Sequence, residues 1–216
     1  MVAIAGTWLF AEIAEHVVAG STQHVDDAVL TWIAAHQIPW VQSTALEITA
    51  LGTGSVVVMI ALVAALFLSL GPHRYRAVLL IAATVGGLAL NGVLKLIFDR
   101  PRPEIFTWGT HAVSSSFPSG HAMNAVIVYS TVAYLAARLE SRPWMRWTTL
   151  LVAAVVIVLV CLSRVYLGVH YPSDIAAGAA VGIAWAAFCM SGVEAARVFG
   201  ERHPRTPEPG GHAASG

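Results

Sequence analysis

Residues 147–162 read WTTLLVAAVVIVLVCL, a run in which no side chain carries a charge. Its β-branched residues are typical of a buried strand, but the run is too long for one and shows no polar alternation. A helix needs about 20 mostly apolar residues to cross the hydrocarbon core of a bilayer. The stretch therefore predicts a helix surrounded by lipid.

Further apolar runs occur along the chain: Ile48–Leu70, Ala77–Phe98, Ala122–Ala137 and Pro172–Gly192. With a first span in residues 1–20, of which Met1–Ala11 is apolar, they predict an all-α integral membrane protein, a bundle of about six transmembrane helices. We expect residues 1–200 to form one membrane-embedded domain. Residues 201–216 are rich in proline, glycine and histidine and are expected to form a disordered C-terminal tail.

The N-terminal part is more polar than the other runs. Glu12, Glu15 and His16 share one helical face, which we expect to turn into the bundle. Val25–Ile38 mixes acidic residues with large apolar ones, a composition that favours a helix lying in the membrane interface.

Composition excludes several classes of protein. Hydrophobic residues make up 57% of the chain and charged residues 11%, whereas a soluble domain carries about 25% charged residues. Lys and Arg together number 12, as do Asp and Glu, so no excess positive charge is available to bind nucleic acid. Cys161 and Cys189 lie inside apolar runs and are interpreted as small core residues, not as a disulfide or a metal pair.

The basic residues predict the orientation in the membrane. Most of the 12 lie at one set of helix ends, which the positive-inside rule makes cytoplasmic: Arg74, Arg76, Arg138, Arg142, Arg146, Arg197, Arg202 and Arg205. Four fall on the opposite, extracytoplasmic side and call for another explanation: Lys95, Arg100, Arg102 and Arg164. Asp99 and Glu104 are expected to pair with arginines on a solvated loop there.

Three short stretches come together on the extracytoplasmic side: Lys95–Pro103, Pro118–His121 and Ser163–Asp174. Lys95, Arg102 and Arg164 have too few carboxylates nearby to neutralise them, which favours an anionic ligand. Arginine binds phosphate through paired hydrogen bonds, and the free N–H groups at a helix N-terminus, here Ser119-Gly120-His121, also suit a phosphate oxygen.

Two histidines add reactive groups to this cationic setting. Asp174 follows His170 by four residues in the first turn of a predicted helix, where its carboxylate can fix the tautomer of the imidazole. The other ring nitrogen is then free to act as a nucleophile. His121 is placed to donate a proton to a leaving oxygen. The residues together predict a phosphoryl-transfer site.

The pattern Lys95-x6-Arg102-Pro103, Pro118-Ser119-Gly120-His121 and Ser163-Arg164-x5-His170-x3-Asp174 resembles the three-part signature of the type 2 phosphatidic acid phosphatase superfamily. Membrane lipid phosphatases and soluble vanadium haloperoxidases share that signature. The resemblance implies that His170 forms a phosphohistidine, Asp174 orients it and His121 protonates the leaving group. It also implies that no metal or other cofactor is needed and that five residues hold the phosphate: Lys95, Arg102, Ser119, Gly120 and Arg164.

The expected function is hydrolysis of a lipid phosphate or diphosphate at the outer face of the cytoplasmic (inner) membrane. Candidate substrates are polyprenyl diphosphate, phosphatidate and phosphatidylglycerol phosphate, and the expected partners are this lipid and the bilayer. A lipid phosphotransferase would use the same phosphohistidine. A phospholipid-binding or transport protein would need no nucleophile, and the membrane segments disfavour a haloperoxidase.

Overall fold

The computed structural model describes residues 1–71, 74–105 and 114–202, with side chains to residue 192. Every regular element in these ranges is a helix, which confirms the all-α prediction. The helices are α1 (Val2–Val18), α2 (Gln23–Ala35), α3 (Pro39–Ala50), α4 (Gly54–Ser69), α5 (Arg74–Ile97), α6 (Gly120–Ala137), α7 (Pro143–Tyr166) and α8 (Pro172–Arg202).

Length and hydropathy identify the membrane-crossing helices. In the described chain α5, α7 and the Pro172–Gly192 part of α8 each qualify alone, and the number rises to five if α1 with α2 and α3 with α4 each form one bent span. The expected number of about six is reached only if α6 also crosses. Helix α6 packs against α4, α5, α7 and α8, and none of its residues is exposed, so few of them face lipid.

Helix α1 packs along α8 through small residues. A Cβ atom on Gly6 would lie 2.9 Å from the Ala180 carbonyl oxygen, so the two backbones can approach only because residue 6 is glycine. Ala14 is buried on the same face. The expectation that Glu12, Glu15 and His16 turn into the bundle is wrong, because all of these side chains are exposed and the small residues occupy the contact with α8.

Helix α2 turns away from α1 by 87°. This angle is what a helix lying in the membrane interface requires if α1 is upright, as predicted for Val25–Ile38. One face of α2 nevertheless contacts the bundle, because Asp26 and Leu30 are buried.

The run Ile48–Leu70 is not one straight helix. It breaks between α3 and α4, with a bend of 50°. At the break, a Cβ atom on Gly52 would lie 2.6 Å from Val160 Cγ1 and 3.2 Å from His121 Cβ. Glycine therefore lets the bent segment pack directly against α7 and the first turn of α6.

The predicted C-terminal tail begins within the last turn of α8, which ends at Arg202. Residues 203–216 lie outside the described residues, as do residues 72–73 and 106–113.

Candidate active site

All eight predicted site residues meet at one end of the bundle, which we call the site end. Lys95 and Arg164 lie at the C-terminal ends of α5 and α7. Gly120 and His121 lie in the first turn of α6, and Asp174 lies in the first turn of α8. The connecting segments supply the remaining three, which are Arg102, Ser119 and His170. Antiparallel neighbouring helices explain why these separate stretches converge.

His170 and Asp174 form the most buried part of the site. His170 is 1% exposed and Asp174 0%. The ring Nδ1 atom lies 3.5 Å from Asp174 Oδ2, which is longer than a normal hydrogen bond, and Nε2 lies 3.4 Å from Arg102 Nη1. Nδ1 therefore faces the carboxylate while Nε2 faces a cation that is suited to bind an anion.

The environment of His170 favours the neutral imidazole. Burial is the main cause that lowers the pKa of His170, to about 4, and it outweighs the opposing effect of Asp174. The charges of Arg164 and Arg102 lower the pKa further. The ring consequently keeps a lone pair for nucleophilic attack at neutral pH.

The Asp174 carboxylate accepts hydrogen bonds from several donors besides facing His170. Oδ2 accepts from Ser116 Oγ and from the Tyr171 backbone N–H, both at 2.9 Å. Oδ1 accepts from Arg100 Nη1 at 2.7 Å. Sequence reasoning gave no role to Arg100 or Ser116. The available signal was the position of Arg100 among the cations on the unfavoured side of the membrane.

The first turn of α6 is tied to the first turn of α8. The Ser119 N–H donates to the Asp174 carbonyl oxygen at 3.0 Å. The Ser119 hydroxyl caps α6 by accepting a long, 3.5 Å contact from the Ala122 N–H. A Cβ atom on Gly120 would lie 2.9 Å from Asn91 Oδ1, so glycine permits close packing against α5. The structure thus gives Ser119 a capping role beside the predicted phosphate contact.

The cationic part of the site consists of Lys95, Arg102 and Arg164, here called the cradle. Lys95 Nζ donates to the Ser115 carbonyl at 2.7 Å, and Arg102 Nη1 to the Val169 carbonyl at 2.9 Å. Arg164 Nη1 donates to Thr49 Oγ1 at 2.9 Å, whereas its buried Nε has no partner among the described residues.

The cradle is positively charged without a matching anion of its own. Within the described ranges, none of its three side chains forms an ion pair with a carboxylate, and their charges lie close enough to repel one another. Neutral acceptors fix the side chains in place. The charge of Asp174 acts on Lys95 and Arg102, but Asp174 is already paired with Arg100, so the cradle keeps an excess of positive charge. This arrangement favours a multiply charged anion such as a phosphate group.

His121 lies at the edge of the cradle. It is partly exposed, and the positive charges of Arg164, Arg102 and Lys95 lie close to it.

The described residues contain no group of three His, Cys, Asp or Glu side chains that would hold a metal ion. The residues present therefore suit an anion better than a divalent cation.

The chain resembles known proteins in both sequence and fold. Residues 76–197 match the sequence model of the PAP2 superfamily. Phosphatidylglycerophosphatase B of Bacillus subtilis (strain 168) is 31% identical over 175 residues, covering 81% of this chain and 86% of that protein. An undecaprenyl-diphosphatase of Sulfolobus acidocaldarius is 34% identical over 137 residues, 61% of this chain and 62% of that protein.

The fold has a close counterpart among solved structures. The crystal structure of a transmembrane PAP2 type phosphatidylglycerolphosphate phosphatase from Bacillus subtilis matches with a TM-score of 0.81 at 27% sequence identity. The match covers 95% of this chain and 99% of that one. The similarity therefore extends over the whole helical bundle.

Proposed function

Because the chain belongs to the PAP2 superfamily, whose relatives named above are lipid phosphatases, we propose that it hydrolyses a lipid phosphate or diphosphate through a phosphohistidine on His170. One observation carries this proposal. A buried His170–Asp174 pair lies directly beside a cradle of cations that lacks its own anion. Binding alone would need the cradle but not the neutral, oriented imidazole.

The first step forms one bond and breaks another. The lone pair on His170 Nε2 attacks phosphorus, while the bond between phosphorus and the bridging oxygen of the lipid breaks. Once the bound phosphate offsets the charge of the cradle, the protonated ring of His121 gives its proton to that leaving oxygen. Asp174 faces Nδ1–H and stabilises the positive charge that develops on the ring of His170.

The second step releases phosphate. A water molecule attacks the phosphohistidine, its proton passes to the now neutral His121, and the phosphorus–nitrogen bond breaks to return His170 to its starting state. The cradle neutralises the equatorial oxygens in both transition states, a role that Mg²⁺ fulfils in other phosphoryl-transfer enzymes. The 3.5 Å contact between His170 and Asp174 is expected to shorten when substrate binds.

The substrate class is tested by a phosphate-release panel on purified protein in detergent. The panel contains phosphatidylglycerol phosphate, polyprenyl diphosphate, phosphatidate and diacylglycerol diphosphate, and His170→Ala is the control. We expect His170-dependent release from at least one of them, with phosphatidylglycerol phosphate and polyprenyl diphosphate favoured by the named relatives. Tight lipid binding without release would favour a binding or transport protein. Transfer of label to a lipid acceptor would identify a phosphotransferase.

Metal independence can be examined in the same assay. We expect EDTA to leave phosphate release nearly unchanged, because the cradle supplies the positive charge. Vanadate should inhibit, since it resembles the five-coordinate transition state at phosphorus. Loss of activity in EDTA that Mg²⁺ restores would contradict the role given to the cradle.

We place the site end on the extracytoplasmic side of the cytoplasmic membrane, on the basis of the positive-inside rule. Cysteine would be introduced at the exposed positions Glu104 and Ser141, with Cys161 and Cys189 replaced by alanine. An impermeant thiol reagent applied to intact cells should label position 104 and not position 141. The opposite labelling would reverse the orientation.

A further inference from the structure

Arg100 connects two buried carboxylates at the start of α8. Its Nη1 donates to Asp174 Oδ1 at 2.7 Å and to Ser173 Oγ at 2.8 Å. Its Nη2 donates to Asp26 Oδ2 at 2.8 Å and to Gln23 Oε1 at 2.9 Å. Each side of the guanidinium group thus holds a different carboxylate, and the two carboxylates belong to different helices.

The guanidinium group also lies over an aromatic ring. Its central carbon lies 4.1 Å from the centroid of the Tyr171 ring, within the range of a cation–π contact. The Arg100 side chain is 10% exposed. Burial lowers the pKa of Arg100, but the hydrogen bonds and charges of Asp26 and Asp174 outweigh burial and raise it overall. Arg100 is therefore a permanent charge between the two acids.

Asp26 reaches from α2 to the N-terminal end of α8. Its Oδ1 accepts from the Ser173 backbone N–H at 3.0 Å, and its Oδ2 accepts from Ser173 Oγ at 2.5 Å. Pro172, the first residue of α8, has no N–H to satisfy. Asp26 therefore caps α8 from another helix, although it is only 2% exposed. A carboxylate this deeply buried is costly unless a cation accompanies it.

The arrangement divides the work of the Asp174 carboxylate. Arg100 occupies Oδ1, and Oδ2 is the oxygen that faces His170 Nδ1. Arg100 forms ion pairs with both Asp26 and Asp174, so the two carboxylates share one positive charge. If Arg100 were absent, two buried carboxylates would remain near one helix end without a cation between them, and the carboxyl group of Asp174 would lose one of its fixed contacts.

We propose that Arg100 and Asp26 are positioning residues for catalysis: together they hold the Asp174 carboxylate charged and turned so that Oδ2 supports His170. The proposal rests on the proposed function of His170 and Asp174. It makes helix α2 a part of the catalytic apparatus, although α2 contributes no group that touches the substrate.

The test compares Arg100→Gln, Arg100→Lys, Asp26→Asn and the double variant Arg100→Gln/Asp26→Asn. Arg142→Gln, an exposed arginine at the other end of the bundle, is the matched control. We expect Arg100→Gln to lower kcat by about 10–100-fold with KM nearly unchanged, a magnitude taken by analogy from residues that orient the ligands of metal sites. Asp26→Asn should have a smaller effect. Arg100→Lys should recover part of the loss, because lysine keeps the charge but cannot bridge both acids.

The double variant separates positioning from stability. Arg100→Gln leaves two buried carboxylates without a cation, whereas the double variant leaves only that of Asp174, so the thermal midpoint of the double variant should exceed that of Arg100→Gln. Its kcat should nevertheless stay low, since Asp174 still lacks its guanidinium partner. Recovery of kcat together with stability would show that Arg100 is only structural and would overturn the proposal. If Arg100→Gln does not fold, Arg100→Lys and the double variant still give this answer.

The kinetic constants and the wild-type controls identify which idea fails. A raised KM with unchanged kcat in Arg100→Gln would make Arg100 a phosphate-binding residue and overturn the positioning role. Unchanged kinetics, with His170-dependent phosphate release intact in the wild type, would also overturn it while leaving the proposed function in place. Failure of the wild type to release phosphate would instead refute the proposed function.

Discussion

The two histidines of the site differ in exposure and in how firmly their rings are held. His170 is 1% exposed and lies between Asp174 and Arg102, and its carboxylate partner is fixed by Ser116, Tyr171 and Arg100. His121 is partly exposed, and no described residue forms a hydrogen bond with its ring. Its backbone is set by the first turn of α6 and by the close passage of Gly52.

This difference matches the two roles that we propose. A nucleophile must approach phosphorus along one line, so fixing its ring in advance lowers the entropic cost of attack. A proton donor must reach the leaving oxygen in the first step and a water molecule in the second, so it needs access more than fixation. The following predictions test whether the difference between the histidines is functional.

The largest expected effect is that of His170→Ala. Loss of the nucleophile should lower turnover by about 10⁴-fold or more and abolish any covalent phosphoenzyme. Rapid quench with ³²P-labelled substrate measures the phosphoenzyme, and its stability in base together with its lability in acid identifies phosphohistidine. If His170→Ala still forms the labelled enzyme and His121→Ala does not, the roles are reversed.

Asp174→Asn should follow, with a loss of up to about 10⁴-fold in kcat. The asparagine side chain keeps the size of the carboxylate but cannot stabilise the positive charge that forms on His170. Single-turnover kinetics should show slow formation of the phosphoenzyme rather than its absence. A thermal midpoint close to that of the wild type is the control for folding, because Arg100 loses a charged partner in this variant. Normal phosphoenzyme formation would refute the role of Asp174.

His121→Ala should lose about 10²–10⁴-fold with a lipid substrate, because it removes only a proton donor. A substrate with a good leaving group needs little protonation. An activated aryl phosphate should therefore restore activity to His121→Ala much better than to His170→Ala, with Asp174→Asn between them. Equal restoration in the two histidine variants would remove the distinction between the two surroundings.

The convergence of the site residues was predictable because it depends on short spacings and on helix direction. Lys95, Arg102 and the His170–Asp174 pair lie at helix ends that alternate across the membrane, so apolar runs alone determine on which side each end lies. The contact of Asp26 with Ser173 joins positions separated by 147 residues. No local pattern indicates such a pairing, and Arg100 therefore had no visible partner in the sequence.

Packing decided the two features of the N-terminal half that sequence reasoning missed. Glu12, Glu15 and His16 do share one helical face. The side to which this face turns depends on where the small residues of α1 pack against α8. The break at Gly52 lies within an apolar run, and hydropathy does not distinguish a glycine inside a straight helix from one at a bend. The contact of Gly52 with Val160 and His121 is visible only in three dimensions.

The smallest expected effect is that of mild acid, which should hardly change the reactivity of His170. Burial lowers the pKa of His170 to about 4, below the ordinary value of about 6.5. Because the lowered value favours the neutral ring, His170 should remain a nucleophile as the pH falls through 6.5, and its contribution to kcat/KM should decline only near pH 4. A histidine of ordinary pKa would be about tenfold less available at pH 5.5.

The measurement is cleanest in His121→Ala with an activated aryl phosphate, since this variant has lost the other histidine of the site and this substrate needs no proton donor. Electron-withdrawing groups on the aryl ring keep the substrate's own second ionisation below the pH range of interest. We expect kcat/KM to stay nearly level from pH 7 to pH 5.5. A limb centred near pH 6.5 would mean that His170 behaves like a solvated imidazole, and its burial beside Asp174 would then have no chemical consequence.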